Sequence, residues 1–339
     1  MKLIKTTEAV GHVLSHDLTQ IIKDEYKGAR FKKGHIIKEE DIEVLLSMGK
    51  EHLYIYECAD DSLHENDAAL RLADICGSEN MVRSDVSEGK IELRSAINGV
   101  FCVDTEKLNK INSIDDIMIA TIKGNTAVKT GDKLCGTRII PLVIKEEKIE
   151  AAEIICESIP ILKVVPFKLK TAGIITTGSE VYSGKIEDKF TPVIIDKLKD
   201  YHIEVVEHIT TDDNIDNIID AIATVKSKGV ELILCTGGMS VDPDDNTPGA
   251  IKRSGADIIT YGAPVLPGAM FLLGYYDDGT PIVGLPGCVM YARATVFDLV
   301  LPRIAAGIKL EKLDFMNMGE GGLCLGCDVC TYPVCPFGK

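Results

Sequence analysis

Glycine and carboxylate fall together in three short loops of this chain, and each loop directly follows an apolar run. The loops read Thr177-Gly178-Ser179-Glu180, then Thr236-Gly237-Gly238-Met239-Ser240 running on to Asp245, then Gly284-Leu285-Pro286-Gly287. Glycine leaves backbone amides bare and free to take positive φ, which suits an anion. Carboxylates suit a cation. A site that needs both is most simply one for a phosphate-bearing ligand bridged by a divalent metal.

The middle loop carries the sharpest signal. Gly237 and Gly238 let a ligand approach the main chain, and Thr247-Pro248 reads as the start of a helix whose amides would assist. Asp242, Asp244 and Asp245 would repel a phosphate unless Mg2+ lay between them. The competing reading is a turn in which these aspartates cap the helix. Glu180 is either solvated or turned to a metal, and Asp188 and Asp213 either cap helices or point into a cleft. Pro264 to Gly268 and Leu285-Pro286-Gly287 would make stiff walls. No Ser–His–Asp or Cys–His set stands out, and the histidines receive no role.

A second chemistry lies in the tail, Cys324-x2-Cys327-x2-Cys330-x4-Cys335-Pro336. Four thiols within a dozen residues suit metal ligation, with a [4Fe–4S] cluster and a tetrahedral zinc both open. A flexible thiol-rich tail is the plain alternative. The other seven of the 11 cysteines are scattered singly, as reduced buried thiols are.

Elements that could position these loops follow from the pattern. Residues 1–166 read as an α+β region, possibly two subdomains, with helices over Lys38–Met48 and Asp67–Ile75. Residues 167–309 alternate strand and helix. Ile215, Ile218, Ile219, Ile222 and Val225 make one helical stripe, and Val230 to Cys235 reads as a parallel strand buried on both faces. Asp277-Asp278-Gly279 signals a hairpin, and a last helix is expected from about Cys288 to Ala306. The expected fold is α/β, a mostly parallel three-layer sheet domain whose ligands bind beyond the carboxyl ends of the strands. Residues 310–339 form the short Cys-rich tail.

Composition sets limits on partners. The chain has 339 residues, 45% of them hydrophobic, so disorder throughout is excluded. Its 52 acidic and 37 basic residues give a net charge of −15, which argues against nucleic acid as a partner. No signal peptide and no membrane span is found, so a cytoplasmic location is expected.

Thr177-Gly-Ser-Glu180, Thr236-Gly-Gly-Met-Ser240 with Asp245 and Thr247, Pro267-Gly268 and Gly284-Leu-Pro-Gly287, in this order, resemble the molybdopterin-binding domain of molybdenum cofactor biosynthesis. The resemblance runs from about Phe167 to Ile308, and is closest to molybdopterin molybdenumtransferases because of the two Pro-Gly loops and the opening segment Thr7 to Asp17. It implies Mg2+-dependent insertion of molybdate into adenylylated molybdopterin with release of AMP, in a homodimer. By that resemblance Glu180, Asp213 and Asp245 serve the metal and the adenylyl phosphates; Asp242, read from its place in the loop, is expected beside Asp245 at the metal. Gly237, Gly238 and Ser240 bind the pterin phosphate and Pro267 and Pro286 border the molybdate, with Thr177, Gly178, Ser179, Asp188, Thr236, Thr247, Gly268 and Gly287 also binding the cofactor. The chain departs from the pattern at Asp242-Pro243, where glycine is usual, and at Cys288-Val289, where Asn-Pro is usual. The family's Thr-Gly-Pro segment is also missing from the N-terminal region. Two other readings remain: a non-catalytic carrier or sensor of the cofactor, and a nucleotide pyrophosphatase of the competence-damage-inducible type.

Overall fold

The apolar run at Val230 becomes the centre of a sheet, because nothing in it asks for water: every residue of the strand Leu232–Thr236 is buried. The computed structural model describes residues 2–22, 26–55, 61–240, 242 and 245–339. They divide into one unit comprising residues 1–97, 101–124 and 128–164, and a second comprising residues 98–100, 125–127 and 165–339.

The second unit is built on a six-stranded sheet. Its strands are β1 (Thr171–Thr177), β2 (Glu204–Thr211), β3 (Leu232–Thr236), β4 (Asp257–Tyr261), β5 (Leu272–Tyr275) and β6 (Pro281–Leu285), in the order β2-β1-β3-β6-β5-β4. β2, β1, β3 and β6 are parallel, whereas β5 is antiparallel to both β6 and β4. β4 therefore runs with the parallel set. The carboxyl ends of β1, β2, β3, β4 and β6 and the amino end of β5 meet along one edge, with Thr177 opposite Thr211, Thr176 opposite Thr236, and Thr236 opposite Leu285. All the predicted loops leave from that edge.

Alternation along the strands feeds two cores. Ile174, Leu232, Leu234 and Val283 face one side and pack with α2 (Phe190–Lys199) and α5 (Val296–Ala305). Ile175, Ile233, Cys235 and Ile282 face the other, with α3 (Ile215–Ser227) and α4 (Thr247–Arg253). The stripe Ile218, Ile222, Val225 on α3 is fully buried, worth about 2 kcal/mol per side chain. At Gly173 a Cβ would come within 2.2 Å of Val225, so glycine lets α3 lie close on β1. This is the expected three-layer α/β arrangement.

The last expected helix is interrupted. A 3-10 turn, Gly287–Met290, is followed by irregular chain, and α5 begins only at Val296. Thr295 and Asp298 form a reciprocal cap that starts a new helix there. Beyond α5, Leu310, Phe315 of α6 (Lys312–Met316) and Phe337 enter the same core as α5, so the tail is packed against the domain.

In the first unit, Lys2–Lys5 pairs antiparallel with His52–Ile55, and Leu18–Ile22 with Tyr26–Phe31. The expected helices appear as Glu39–Ser47 and Glu65–Cys76. The unit also holds a four-stranded antiparallel sheet of Met81–Arg83, Lys90–Ser95, Lys133–Ile139 and Ile117–Thr121 and the helices Thr105–Asn112 and Glu146–Cys156, an α+β arrangement. No helix among the described residues is long and apolar enough to cross a membrane.

Candidate functional site

Hydroxyls placed at the strand ends by period-two alternation turn inward and tie the rim loops together. Thr177, Thr236 and Thr247 are buried. The Thr177 hydroxyl donates to the Thr236 carbonyl at 3.1 Å and lies 3.1 Å from the Thr247 hydroxyl, which donates to the Gly237 carbonyl at 2.8 Å. Only glycine can follow Thr236, because a Cβ at position 237, with φ of +81°, would sit 2.2 Å from the Thr177 carbonyl oxygen. At Gly238, φ +53°, a Cβ would sit 2.9 Å from the Thr247 hydroxyl. The Thr236 hydroxyl itself is buried and has no partner among the described residues.

Asp213 does not cap a helix; Asn214 does that for α3. The Asp213 carboxylate instead accepts from both the amide and the hydroxyl of Ser179, each at 2.8 Å. Gly178 donates its amide to the Thr211 carbonyl, and Asn246 donates its side-chain amide to the Asp213 carbonyl at 2.8 Å. Loops after β1, β2 and β3 are thus one hydrogen-bonded web. Glu180 stands exposed on the short helix α1 (Ser179–Tyr182).

The outer half of the middle loop is different. Among the described residues, no protein group accepts from the amides of Gly238, Met239 or Ser240, whereas the pairing of Thr236 with Leu285 turns the Gly237 amide into the sheet toward the Leu285 carbonyl. The Tyr261 hydroxyl holds the Met239 carbonyl at 3.0 Å, and Met239 is packed over Gly284 of β6. Asp245 is half-buried and its amide donates to the Asp242 carbonyl, while Asp242 and Ser240 are exposed. No described side chain hydrogen-bonds the Asp242 or Asp245 carboxylate, and neither caps α4, whose first residue Thr247 follows Asn246 without a side-chain cap. Burial, and then the charge of Asp245, push the Tyr261 hydroxyl up. Asp244 lies outside the described residues.

The two proline walls lie at this rim as well. Pro267, after a cis peptide bond, is half-buried, and Gly268 is buried with Val296 where a Cβ would be. Pro286 is buried and Gly287 exposed, and burial pushes the neighbouring Cys288 thiol up.

Asp188 serves α2: its carboxylate accepts from the amides of Phe190 and Thr191 at 2.8 and 3.0 Å. Burial acts to raise this carboxyl. The Thr191 hydroxyl, the two amides and His208 outweigh that and hold it below the ordinary value. Sequence reasoning missed the partners, His208 and the buried Thr176 and Thr191, whose hydroxyls lie 3.0 and 3.2 Å from the His208 ring. Finding them needs the register that sets Ile174 opposite His208, which no local pattern encodes.

Among the described residues, no three His, Cys, Asp or Glu side chains are grouped so as to hold a metal ion. Around Asp242 and Asp245 this still fits Mg2+, which is commonly held by one or two carboxylates together with ligand phosphates. In the tail, Cys324 and Cys335 are half-buried against the core, and Cys327 and Cys330 are exposed.

Residues 173–306 match the family described as "Probable molybdopterin binding domain". Residues 3–57 match a family described as a domain of unknown function. A CinA-like protein of Mycobacterium sp. (strain JLS) is 33% identical over 82 residues, covering 24% of this chain and 20% of the relative. The chain thus spans about a fifth of the length of the curated relatives it matches. Of solved structures, the CinA protein of Thermoplasma acidophilum is 17% identical with a TM-score of 0.35, over 40% of this chain and 98% of that one. The molybdopterin biosynthesis enzyme MoaB of Thermus thermophilus is 21% identical with a TM-score of 0.35, over 42% and 99%.

Proposed function

We propose that the rim binds molybdopterin, and that the chain inserts molybdate into the adenylylated cofactor and releases AMP with Mg2+. The observation that carries this reading is the run of open amides from Gly238 to Ser240 beside the Asp242 and Asp245 carboxylates, on the edge that also bears both proline walls. Such a run is a preformed cradle for a phosphate.

In this reading Gly237 sets the turn, and the Gly238 and Ser240 amides hold the pterin phosphate without reorganising. Asp245 and Asp242 hold the metal, with Glu180 near the adenylyl phosphate. Magnesium, when bound, neutralises the phosphates and assists cleavage of the anhydride. Asp213 acts through Ser179, so it is a positioning residue. Pro267, Gly268, Pro286 and Gly287 border the molybdate. A cytoplasmic homodimer is the working unit.

A carrier or sensor is the second reading. It is favoured by the internal engagement of Thr177, Thr247 and Asp213, which leaves few side chains free for chemistry. Quantifying AMP released from adenylylated molybdopterin decides between them. Release that requires both Mg2+ and molybdate is expected. Tight pterin binding without release supports the carrier, and nucleotide pyrophosphate hydrolysis without molybdate would move the assignment to a pyrophosphatase.

A further inference from the structure

We propose that Cys324, Cys327, Cys330 and Cys335 hold one [4Fe–4S] cluster within a loop closed between Gly321 and Gly338. The closure is direct: the Gly338 amide donates to the Gly321 carbonyl at 2.9 Å. Both sides of the loop are fixed to the domain. Leu266 donates its amide to Gly322 and accepts from the Cys324 amide, each at 2.8 Å. On the far side the Tyr332 hydroxyl donates to the Asp298 carbonyl and Phe337 is buried. Cys324 and Cys335 therefore sit on anchored chain.

Between the anchors the picture changes. Among the described residues, the amides of Leu325 to Thr331 donate to no protein acceptor. Leu325, Val329 and Val334 are 71%, 77% and 83% exposed. Holding seven residues in one conformation costs about 1–2 kcal/mol each, and nothing in this stretch offsets that. A group that takes thiolates and accepts amide hydrogen bonds would do so, and cluster sulfurs accept such bonds.

Spacing separates the cluster from zinc. Structural zinc sites usually draw on two ligand pairs separated by a longer spacer. Here three cysteines at x2 spacing run into a fourth followed by proline, one residue longer than the bacterial ferredoxin run. The four sulfurs are not gathered in the structure, and the unbonded stretch carrying Cys327 and Cys330 is the part that closes on Cys324 and Cys335. Loading is a ligand exchange: four thiols lose their protons to the departing ligands of a preformed cluster, and no electron changes hands.

The test is to mix the full-length apo-protein, anaerobically, with a synthetic [4Fe–4S] complex of small thiols. About four iron atoms per chain should be retained, with broad visible absorption. Cys327→Ser and Cys330→Ser should each lose that absorption with thermal stability unchanged, while Cys288→Ser keeps it. Hydrogen exchange at Leu266 and Cys324 should slow on loading. Retention of iron by a Cys327→Ser, Cys330→Ser double variant overturns the proposal. So does uptake of zinc in place of iron, or of no metal.

Discussion

The two halves of the strand-end rim use the same kinds of residue to opposite ends. On the inner half Thr177, Ser179, Asp213 and Thr247 are engaged with one another and with the main chain. On the outer half the Gly238–Ser240 amides and the carboxylates of Asp242 and Asp245 have no described protein partner. Glycine, threonine and aspartate in a loop therefore do not announce which of two jobs they have. A hydroxyl inside the web sets the shape of the cradle, and only the outer groups remain for a ligand.

That division separates the consequences of substitution. Asp245→Asn should lower the rate of AMP release about 100-fold, since a metal-holding charge acts on the transition state. Its stability should stay within about 0.5 kcal/mol of the parent, as no described side chain depends on it. A large loss of stability, measured by urea unfolding, would move Asp245 to the inner half.

Thr247→Val should do the reverse. It removes the donor to the Gly237 carbonyl from a buried position, at a cost of about 2 kcal/mol in unfolding free energy. An unchanged denaturation midpoint would show that the web does not hold the loop.

The smallest effect concerns Asp188. A carboxyl held below its ordinary value contributes stability that is complete above that value and fades as pH falls through the lowered one. Its partial exposure keeps the contribution below about 1 kcal/mol. Asp188→Asn should flatten the acid limb of the stability profile, and an unaltered limb would exclude Asp188 as its source.

Which parts were legible follows from the range of the interactions involved. The α3 stripe and the all-buried β3 are local periodicities, and the rim follows from strand–loop–helix alternation, so both could be read. The bond from Asp213 to Ser179 joins residues far apart in the chain, and the more familiar expectation for an aspartate after a strand is a cap. The break before α5 depended on Thr295 and Asp298 closing on each other, a signal overshadowed by the apolar run around it. The docking of the tail on Leu266 has no periodicity at all. In the first region the helices Glu39–Ser47 and Glu65–Cys76 were visible from acidic first turns, whereas the pairing of its short strands was not.

The single reversal of direction at β5 leaves α2, α3, α4 and α5 all beginning at the same edge. Each such beginning carries roughly half a positive elementary charge from its aligned peptide dipoles, about two charges in sum. Asp188 and Asp298 already meet the beginnings of α2 and α5, and Glu180, Asp213, Asp242 and Asp245 add their charges at the same edge, so a phosphate needs the local amides and a cation there and not a positive field. Salt confines the pull of the dipoles to the last ~8 Å of the approach, so the rim selects what has already arrived and does not draw it from afar.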